Sequence, residues 1–454
     1  GWDQVMQRYR GTQLQDHFRD LSNDNVDAAF KPQQVDKMPE LHGGEVKDFL
    51  EEKDERNVLE EISTQLEIDQ LLERDMSELS GGELQRVAIA ATLVRDASMY
   101  VVDEPSSFLD VKQRLNMAEI ISDMGDEREV LVVEHDLATL DLISSTTHVF
   151  HGEPQGYGMV SNSFSTRQGI NQYLDGYLQT HNLRIRDDSI KFDRTKRSQV
   201  ENKAEVAKYP GFKKSFGDGE FSLDSDHGSI HEEEILGILG ENGVGKTTFA
   251  KMLAGGIEPD RGESPKKSIS YKPQYLEAED KSVEQALKNH VNPEEKRFKT
   301  RISEPLELEE IYDQNLKELS GGELQRVGVA ICLARDADIY LLDEPSAYLD
   351  VESRVELGKT LKRFARKTGK PLLVIDHDLL LMDYIADRGI IFAGEPGNKG
   401  TATRPMKIEE AMNRFLMEMD LTFRKDPDTG RPRANKPGSQ KDQQQRKRNE
   451  YYEQ

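Results

Sequence analysis

Short apolar runs alternate with helical patterns along the chain, and the alternation occurs in two similar series. Each run has four residues rich in Val, Ile and Leu and is followed directly by an acidic residue. Continuous apolar runs predict strands of a parallel sheet buried on both faces. The runs are 99–102, 130–133, 339–342 and 372–375. Between them, apolar residues recur at three- and four-residue spacing over 83–95 and 323–335, which predicts helices.

The two series are copies of each other. The nine-residue string L-S-G-G-E-L-Q-R-V occurs at 79–87 and at 319–327, an offset of 240 residues. The same offset separates Asp103 from Asp343, and each of these begins the string D-E-P-S after an apolar run. Equal spacing over this distance indicates tandem duplication of a whole domain. The sequence therefore predicts an α/β fold with two nucleotide-handling domains.

Copy two opens with a phosphate-binding loop. Residues 240–247, G-E-N-G-V-G-K-T, fit the pattern G-x-x-x-x-G-K-[ST] directly after an apolar run. Backbone N–H groups of such a loop and the Lys246 ammonium cradle phosphates, and the Thr247 hydroxyl binds magnesium. The predicted nucleotide contacts of the loop are Gly240, Asn242, Gly243, Gly245, Lys246, Thr247 and Thr248.

Copy one has no such loop. Subtracting the repeat offset from Lys246 leads to the region of Met6, which is neither glycine-rich nor lysine-bearing. The sequence thus predicts an N-terminally incomplete protein, whose first domain has its opening strand and phosphate loop upstream of Gly1.

Polar residues after the predicted strands of copy two supply the rest of a site for phosphoryl transfer. Gln274 can reach both a metal ion and an attacking water, and Asp343 can hold the magnesium shell. Glu344 can orient or deprotonate the water, and His377 can contact the γ-phosphate. These roles suit a reaction that depends on positioning and charge stabilisation.

Copy one repeats the order of these residues. The predicted catalytic residues are Glu344 and His377 in copy two and Glu104 and His135 in copy one. The predicted metal ligands are Thr247, Gln274 and Asp343 in copy two and Asp103 and Gln33 in copy one. Each Ser-Gly-Gly turn begins a predicted helix, where unpaired N–H groups favour a phosphate. The turn residues are Ser80, Gly81 and Gly82 and, in copy two, Ser320, Gly321 and Gly322.

Charge is unevenly distributed. The 85 acidic and 61 basic residues give a net charge of -24, which favours solubility and repels phosphate backbones. Concentrated salt would screen that repulsion to a few ångström. Yet the segment 424–448 holds nine basic and three acidic residues, and 184–203 also leans basic. Such runs are typical of solvated linkers; the alternative is a docking surface for RNA or for the other domain.

Composition narrows the cellular context. The one cysteine, Cys332, excludes a disulfide framework and a metal cluster held by several thiolates within these residues. It also suits a reducing compartment, so a cytoplasmic protein is expected. No apolar run of about 18 residues occurs, and no membrane partner is predicted.

Together the motifs resemble those of ATP-binding cassette (ABC) ATPases: phosphate loop, glutamine loop, L-S-G-G signature, Walker B Asp-Glu, S-x-x-L-D loop and switch histidine. The S-x-x-L-D loops lie at 106–110 and 346–350. The extended signature, D-E-P-S-[SA]-[FY]-L-D-V, the turns at Gly152 and Gly394, and F-R-K-D-P-D-T-G-R-P-R-A-N-K at 423–436 resemble the ABC-E subfamily. That subfamily comprises twin-cassette ribosome recycling factors, also called RNase L inhibitors.

The resemblance implies an ATPase that uses ATP and magnesium to split ribosomes after termination. It implies the small ribosomal subunit and the release-factor machinery as partners, with ribosomal RNA a further candidate for the basic segments. It also implies a monomer whose cassettes face head to tail, so that Lys246 of one faces the Ser80 turn of the other across a shared ATP. The second site would use Gln33, Asp103, Glu104 and His135 with the Ser320 turn. The family's iron–sulfur clusters are not supported by the residues present.

The same resemblance suggests domain limits and a base platform. The first cassette would span 1–180, a basic hinge 181–205, the second cassette 206–420 and a basic hinge or tail 421–454. Family members stack adenine on an aromatic side chain before the phosphate loop. The candidates, which core packing explains equally, are Tyr209, Phe216 and Phe221.

Three other functions are weighed against recycling. The ATPase subunit of an ABC transporter is the main alternative, although the fused layout and the C-terminal segment argue against it. A coiled-coil DNA-repair ATPase has no room for its arm, because about 46 residues separate Gln33 from Leu79 and about 45 separate Gln274 from Leu319. A scaffold that binds ribosomes without hydrolysis stays open, because copy one has no phosphate loop.

Overall fold

The chain forms two compact units, Gly1–Ser144 and Ser145–Gln454. A computed structural model describes residues 2–23, 26–153, 156–187, 189–190, 203–217, 221–274, 276 and 278–453. Residues 188 and 191–202 of the predicted hinge lie outside these residues. The limits at 180, 205 and 420 concern functional domains and stay a prediction.

The first unit is a three-stranded parallel sheet with helices. Its strands, in the order β1-β2-β3, are β1 (Ala28–Lys31), β2 (Met99–Asp103) and β3 (Glu129–Val133). Its helices are α1 (Trp2–Arg8), α2 (Gln13–Ser22), α3 (Met38–Leu41), α4 (Val46–Lys53), α5 (Leu59–Gln65), α6 (Gly81–Leu93), α7 (Val111–Glu127) and α8 (Leu137–Ile143). Val87, Ile89 and Tyr100 lie in the core between α6 and the sheet.

The second unit begins with small antiparallel pairs around one helix. These are β4 (Thr146–Thr147) with β7 (Phe164–Ser165), β5 (Phe150–Glu153) with β6 (Tyr157–Val160), and β8 (Tyr177–Leu178) with β9 (Leu183–Arg184). Helix α9 (Thr166–Asp175) ends at Gly176, which adopts the left-handed conformation that a helix end often needs. A separate pair joins β10 (Glu205–Tyr209) to β13 (Gly228–His231).

A nine-stranded mixed sheet forms the centre of the second unit. Its order is β11-β12-β19-β18-β14-β17-β16-β15, with β20 paired to β18. The strands are β11 (Lys213–Phe216), β12 (Phe221–Ser225), β14 (Ile235–Gly240), β15 (Ile269–Lys272), β16 (Ile339–Asp343), β17 (Leu372–Ile375), β18 (Arg388–Glu395), β19 (Lys399–Ala402) and β20 (Met406–Lys407). Strands β14 to β18 are parallel neighbours, and β14, β16 and β17 are buried throughout, as their apolar runs predict.

Helices cover this sheet, and one of them follows the phosphate loop. They are α10 (Lys246–Leu253), α11 (Val283–Lys288), α12 (Lys296–Phe298), α13 (Gly321–Ala334), α14 (Val351–Thr368), α15 (Leu379–Ile385) and α16 (Ile408–Glu418). Phe249 of α10 packs in one core cluster with Leu373 and Ile375 of β17. Their repeat counterparts in the first unit, Leu131 and Val133, are 48% and 43% exposed. The face of the sheet that α10 covers in the second unit is therefore partly exposed to solvent in the first unit.

The basic C-terminal segment is folded. Strands β21 (Phe423–Lys425) and β22 (Pro432–Ala434) form a hairpin, followed by helix α17 (Gln440–Lys447). Phe423 and Tyr452 are buried. Several basic side chains form ion pairs within the unit, including Arg433 with Asp426 and Lys441 with Glu453. The expectation of a solvated linker is thus wrong for residues 424–448, because acidic partners and a small apolar core fix the segment.

Candidate nucleotide site

The phosphate loop joins the central strand β14 to helix α10. Gly243 and Gly245 have φ angles of 76° and 96°, which side chains with a Cβ rarely adopt. A Cβ on Gly245 would also lie 2.9 Å from Cζ of Phe221. Lys246 is buried, and its Nζ donates to the carbonyl oxygens of Gly240 at 2.9 Å and Glu241 at 2.6 Å. The loop therefore places the Lys246 ammonium, and glycine backbone that a phosphate can approach closely, at the edge of the sheet.

Oxygen ligands suited to a magnesium ion meet beside this loop. Oγ1 of Thr247 donates to Oδ2 of Asp343 at 2.9 Å, and the Tyr271 hydroxyl donates to the same oxygen at 3.2 Å. The other oxygen, Oδ1, is buried and has no hydrogen-bond partner among the described residues. Burial and the neighbouring Glu344 carboxylate raise the pKa of Asp343. A carboxylate oxygen and a hydroxyl in this position fit a hard cation with oxygen ligands.

Glu344 lies at the centre of the polar residues that follow the strands of the second cassette. Nε2 of Gln274 donates to its Oε1 at 2.9 Å, and Nε2 of His377 lies 3.5 Å from the same oxygen. Burial acts to raise the pKa of Glu344, but the His377 imidazole, the Lys246 ammonium and the Gln274 amide outweigh it and lower the pKa to about 2. Glu344 is therefore a carboxylate that can accept a proton or a hydrogen bond from water.

The first unit repeats this cluster. Nε2 of Gln33 donates to Oε1 of Glu104 at 2.7 Å, and Nε2 of His135 lies 3.4 Å from that oxygen. The contact with His135 is the main cause that lowers the pKa of Glu104, against the opposing effect of burial. Asp103 ends β2 just as Asp343 ends β16. The structure thus brings together the predicted strand-end residues within each unit.

Both Ser-Gly-Gly turns begin helices, as the sequence predicts. Ser80 is the N-cap of α6 and Ser320 the N-cap of α13. In each, the serine hydroxyl donates to the glutamate three residues later at 2.7 Å, and the backbone N–H of the serine donates to it at 2.8 Å. This capping box fixes the turn, and both serines are exposed.

Known proteins match the whole chain. The protein-family model described as "ABC transporter" matches residues 5–107 and 223–347. An uncharacterized ABC transporter ATP-binding protein, MJ0719 of Methanocaldococcus jannaschii, is 48% identical over 99% of this chain and 75% of its own length. ABC transporter E family member 1 of Arabidopsis thaliana is 42% identical over 99% of this chain and 76% of its own length. The chain belongs to the ABC-E family.

Solved ABC-E structures have the same fold. The archaeal ribosome recycling factor aABCE1, in complex with the ribosomal stalk protein aP1, matches with a TM-score of 0.92 and 47% identity. The match covers 100% of this chain and 88% of that one. In a model of ribosome-bound archaeal Pelota and ABCE1, the match has a TM-score of 0.94 and 47% identity over 100% of this chain and 77% of that one. The α/β fold with two ABC domains is therefore confirmed.

Membership makes the chain an ATPase that binds ATP with magnesium. Two ABC domains and relatives such as the translation initiation factor RLI1 of Saccharomyces cerevisiae, 40% identical over 99% of this chain and 76% of its own length, favour the ABC-E assignment over a transporter subunit. In the part of the chain that the structure describes, no helix is both long and apolar enough to cross a membrane. The oxygen set at Thr247 and Asp343 agrees with a magnesium nucleotide.

Two aromatic residues next to the signature turns were not predicted from the sequence. Phe108 and Tyr348 have left-handed φ angles of 65° and 62°, which are rare for bulky residues. A Cβ on Gly82 would lie 2.9 Å from the carbonyl oxygen of Phe108, and one on Gly322 would lie 2.9 Å from that of Tyr348. The second glycine of each turn is therefore needed for packing against the S-x-x-L-D loop. From the sequence, only an approach to phosphate is expected of this glycine.

Buried lysines are a second feature that the sequence analysis missed. Lys272 and Lys31 end β15 and β1 and are almost fully buried. Burial lowers the pKa of each to about 8, against the opposing effect of nearby carboxylates such as Asp343 and Asp103. Both lysines begin the string K-P-Q, which occurs once in each copy.

The adenine candidates separate into core and surface. Tyr209 is buried, with its ring centroid 5.7 Å from that of Phe212 and 5.5 Å from that of Phe249, so it is a core residue. Phe216 and Phe221 face each other at 6.2 Å across the β11–β12 hairpin and are half-buried. Phe221 lies next to the phosphate loop, because a Cβ on Gly245 would be 2.9 Å from its Cζ.

Proposed function

We propose that this chain uses ATP binding and hydrolysis to split ribosomes into subunits after termination, in the cytoplasm and together with release-factor machinery. The observation that carries the proposal is the likeness, over the full chain, to the archaeal ribosome recycling factor aABCE1. Other relatives named as translation initiation factor RLI1 and a ribosome-bound complex of Pelota and ABCE1 support the same process. The small ribosomal subunit is the expected partner.

The proposed chemistry is water attack on the γ-phosphate in the second cassette. Magnesium, when bound with ATP, would neutralise charge on the phosphates and would be held by Thr247, Asp343 and Gln274. Glu344, ionised and accepting from Gln274, would orient and deprotonate the water. His377 would donate from its imidazole toward the γ-phosphate. The phosphate contacts would come from the loop residues Gly240, Asn242, Gly243, Gly245, Lys246, Thr247 and Thr248.

Each nucleotide would be shared between cassettes. The turn at Ser80, Gly81 and Gly82, which begins helix α6, would face the ATP held by Lys246, because a helix N-terminus favours a phosphate. The turn of Ser320, Gly321 and Gly322 would face a second ATP served by Gln33, Asp103, Glu104 and His135. ATP binding would then close the two cassettes of one monomer, and hydrolysis would let them open. This cycle would move a ribosomal subunit bound to the protein.

Further contacts belong to the same proposal. Adenine would stack on the Phe216–Phe221 hairpin, which lies beside the phosphate loop. Ribosomal RNA would contact the basic C-terminal segment, where Lys436, Lys447 and Arg448 are exposed. The single thiol of Cys332 is buried, so the residues of this chain offer no thiolate set for an iron–sulfur cluster.

Nucleotide-dependent association with ribosomes tests the proposal. Small ribosomal subunits should pellet this protein at least about fivefold better with a non-hydrolysable ATP analogue than with ADP, because the closed cassettes would bind with a coupling of the usual size. The measurement is co-sedimentation through a sucrose cushion. A Lys246→Ala variant, which loses the main phosphate contact, should stay at the ADP level. Equal pelleting of the parent with both nucleotides would contradict the proposal.

A further inference from the structure

We propose that Lys272, and Lys31 in the repeat, are positioning residues that hold the turn carrying the catalytic glutamate. Each is the last residue of the strand that leads to the glutamine loop. Nζ of Lys272 donates to the backbone carbonyl of Asp343 at 2.9 Å, and Nζ of Lys31 donates to that of Asp103 at 2.8 Å. The inference rests on the role proposed above for Glu344.

The turn needs support because its backbone departs from the sheet. Glu344 and Glu104 have left-handed φ angles of 47° and 45°, which cost free energy unless surrounding contacts fix them. The N–H of Glu344 donates to the carbonyl of Ile375 at 2.8 Å, and that of Glu104 donates to Val133 at 2.8 Å. One side of the turn is thus tied to the neighbouring strand.

The lysine ties the other side. The carbonyl before Glu344, that of Asp343, lies where the parallel ladder ends and is reached by the Lys272 ammonium. A buried carbonyl without a donor is costly, so removing the ammonium would leave the turn free to relax. A neutral side chain of the same length would fill the space but not make the bond. The same contact in both units argues that it serves the repeated cluster rather than local packing.

The lysine also fixes the glutamine. Pro273 and Gln274 directly follow Lys272, and proline restricts the backbone between them. Nζ of Lys272 donates to the Pro273 carbonyl at 3.1 Å, while Nε2 of Gln274 donates to Oε1 of Glu344 at 2.9 Å. Residues 272–274 therefore bind both the backbone carbonyl before Glu344 and the Glu344 carboxylate. Loss of the lysine should misplace the carboxylate with little effect on the phosphate loop.

A kinetic split tests this role. Lys272→Met should lower kcat for ATP hydrolysis by about 10- to 100-fold with KM for ATP unchanged within about twofold, because a small misplacement of a catalytic group lowers the rate without removing substrate contacts. Circular dichroism checks the fold. The matched control is Lys208→Met, since Lys208 is exposed on β10 and pairs only locally with Glu205. Parent kcat in Lys272→Met would overturn the inference.

A double-mutant cycle separates positioning from a general structural effect. If Lys272 acts through Glu344, the variant Lys272→Met/Glu344→Gln should hydrolyse ATP no more slowly than Glu344→Gln alone in single-turnover assays. Effects that multiply would overturn the inference. Should the methionine variant fail to fold, Lys272→Gln decides instead. Its shorter side chain cannot carry a donor to the position of the ammonium, so a lower kcat at constant KM supports the role and a parent kcat overturns it.

The cycle is measured on the full chain with ATP and magnesium and needs no ribosome. Hydrolysis without nucleotide-dependent ribosome binding would refute the recycling proposal and leave the role of Lys272 standing. A Lys272→Met variant with parent kcat, in a protein that does bind small subunits with the ATP analogue, would refute only the positioning role.

Discussion

Replacing Glu344 by Gln is expected to slow ATP hydrolysis by about 100- to 10,000-fold, the range found for general acid–base groups, while ATP binding is kept. Glutamine has the same shape but cannot take a proton from water. The pKa of Glu344 is held near 2, so the parent carboxylate is ionised at every ordinary assay pH. Because binding persists without turnover, the closed state should accumulate.

Single-turnover hydrolysis and titration with a fluorescent ATP analogue measure these two effects separately. Glu356→Gln is the matched control, because Glu356 lies on the surface of α14 and pairs with Lys359 of the same helix. That variant should behave like the parent. If Glu344→Gln turned over ATP at the parent rate, the water-positioning role would belong to another residue.

The cluster around Glu344 could be predicted because parallel strands bring their carboxyl ends to one edge. Gln274 follows β15, Glu344 follows β16 and His377 follows β17, and these strands are adjacent in the sheet. Sequence distance therefore did not matter once the apolar runs were recognised as strands. The internal repeat added a second, independent example of the same order.

Backbone conformation and buried charge could not be predicted in the same way. A lysine at a strand end is usually solvent-exposed, so K-P-Q gave no reason to place Lys272 inside the protein. Likewise the left-handed φ angles of Phe108 and Tyr348 have no signature in residue type, since bulky residues rarely adopt them. These features depend on carbonyls and turns that only the folded sheet brings together.

Charge runs were the least informative part of the sequence. The basic segment 424–448 looked like a solvated linker because its partners lie far away in the chain. Arg167 on α9, for example, binds Asp426 through Nε at 3.0 Å across 259 residues of sequence. Fully buried Asp426 also accepts from Arg433 at 3.4 Å. One carboxylate thus joins α9 to strand β22 of the C-terminal hairpin.

Asp426→Ala is therefore expected to destabilise this part of the second unit by about 1–3 kcal/mol, because two arginines and two backbone N–H groups would lose a buried acceptor. Burial acts to raise the pKa of Asp426, but Arg167 and the N–H groups of Asp428 and Thr429 lower it to about 2. A depressed folded-state pKa stabilises the protein above the ordinary value near 3.8, and this contribution is lost as pH falls toward 2. Urea denaturation at pH 7 and hydrogen exchange of β21 and β22 measure the loss.

The neighbouring carboxylate provides the control. Asp428 is exposed and receives Nη2 of the same Arg167 at 2.7 Å, so Asp428→Ala should cost less than about 1 kcal/mol, as surface ion pairs do. Both carboxylates bind Arg167, but only Asp426 is buried and also accepts from Arg433, so the comparison measures what this buried network adds. Equal destabilisation by the two variants would mean that the hairpin is held by its apolar residues Phe423 and Tyr452 rather than by the buried charge. If β21 kept its hydrogen-exchange protection in Asp428→Ala and lost it in Asp426→Ala, the hairpin would be held by the buried Asp426 carboxylate.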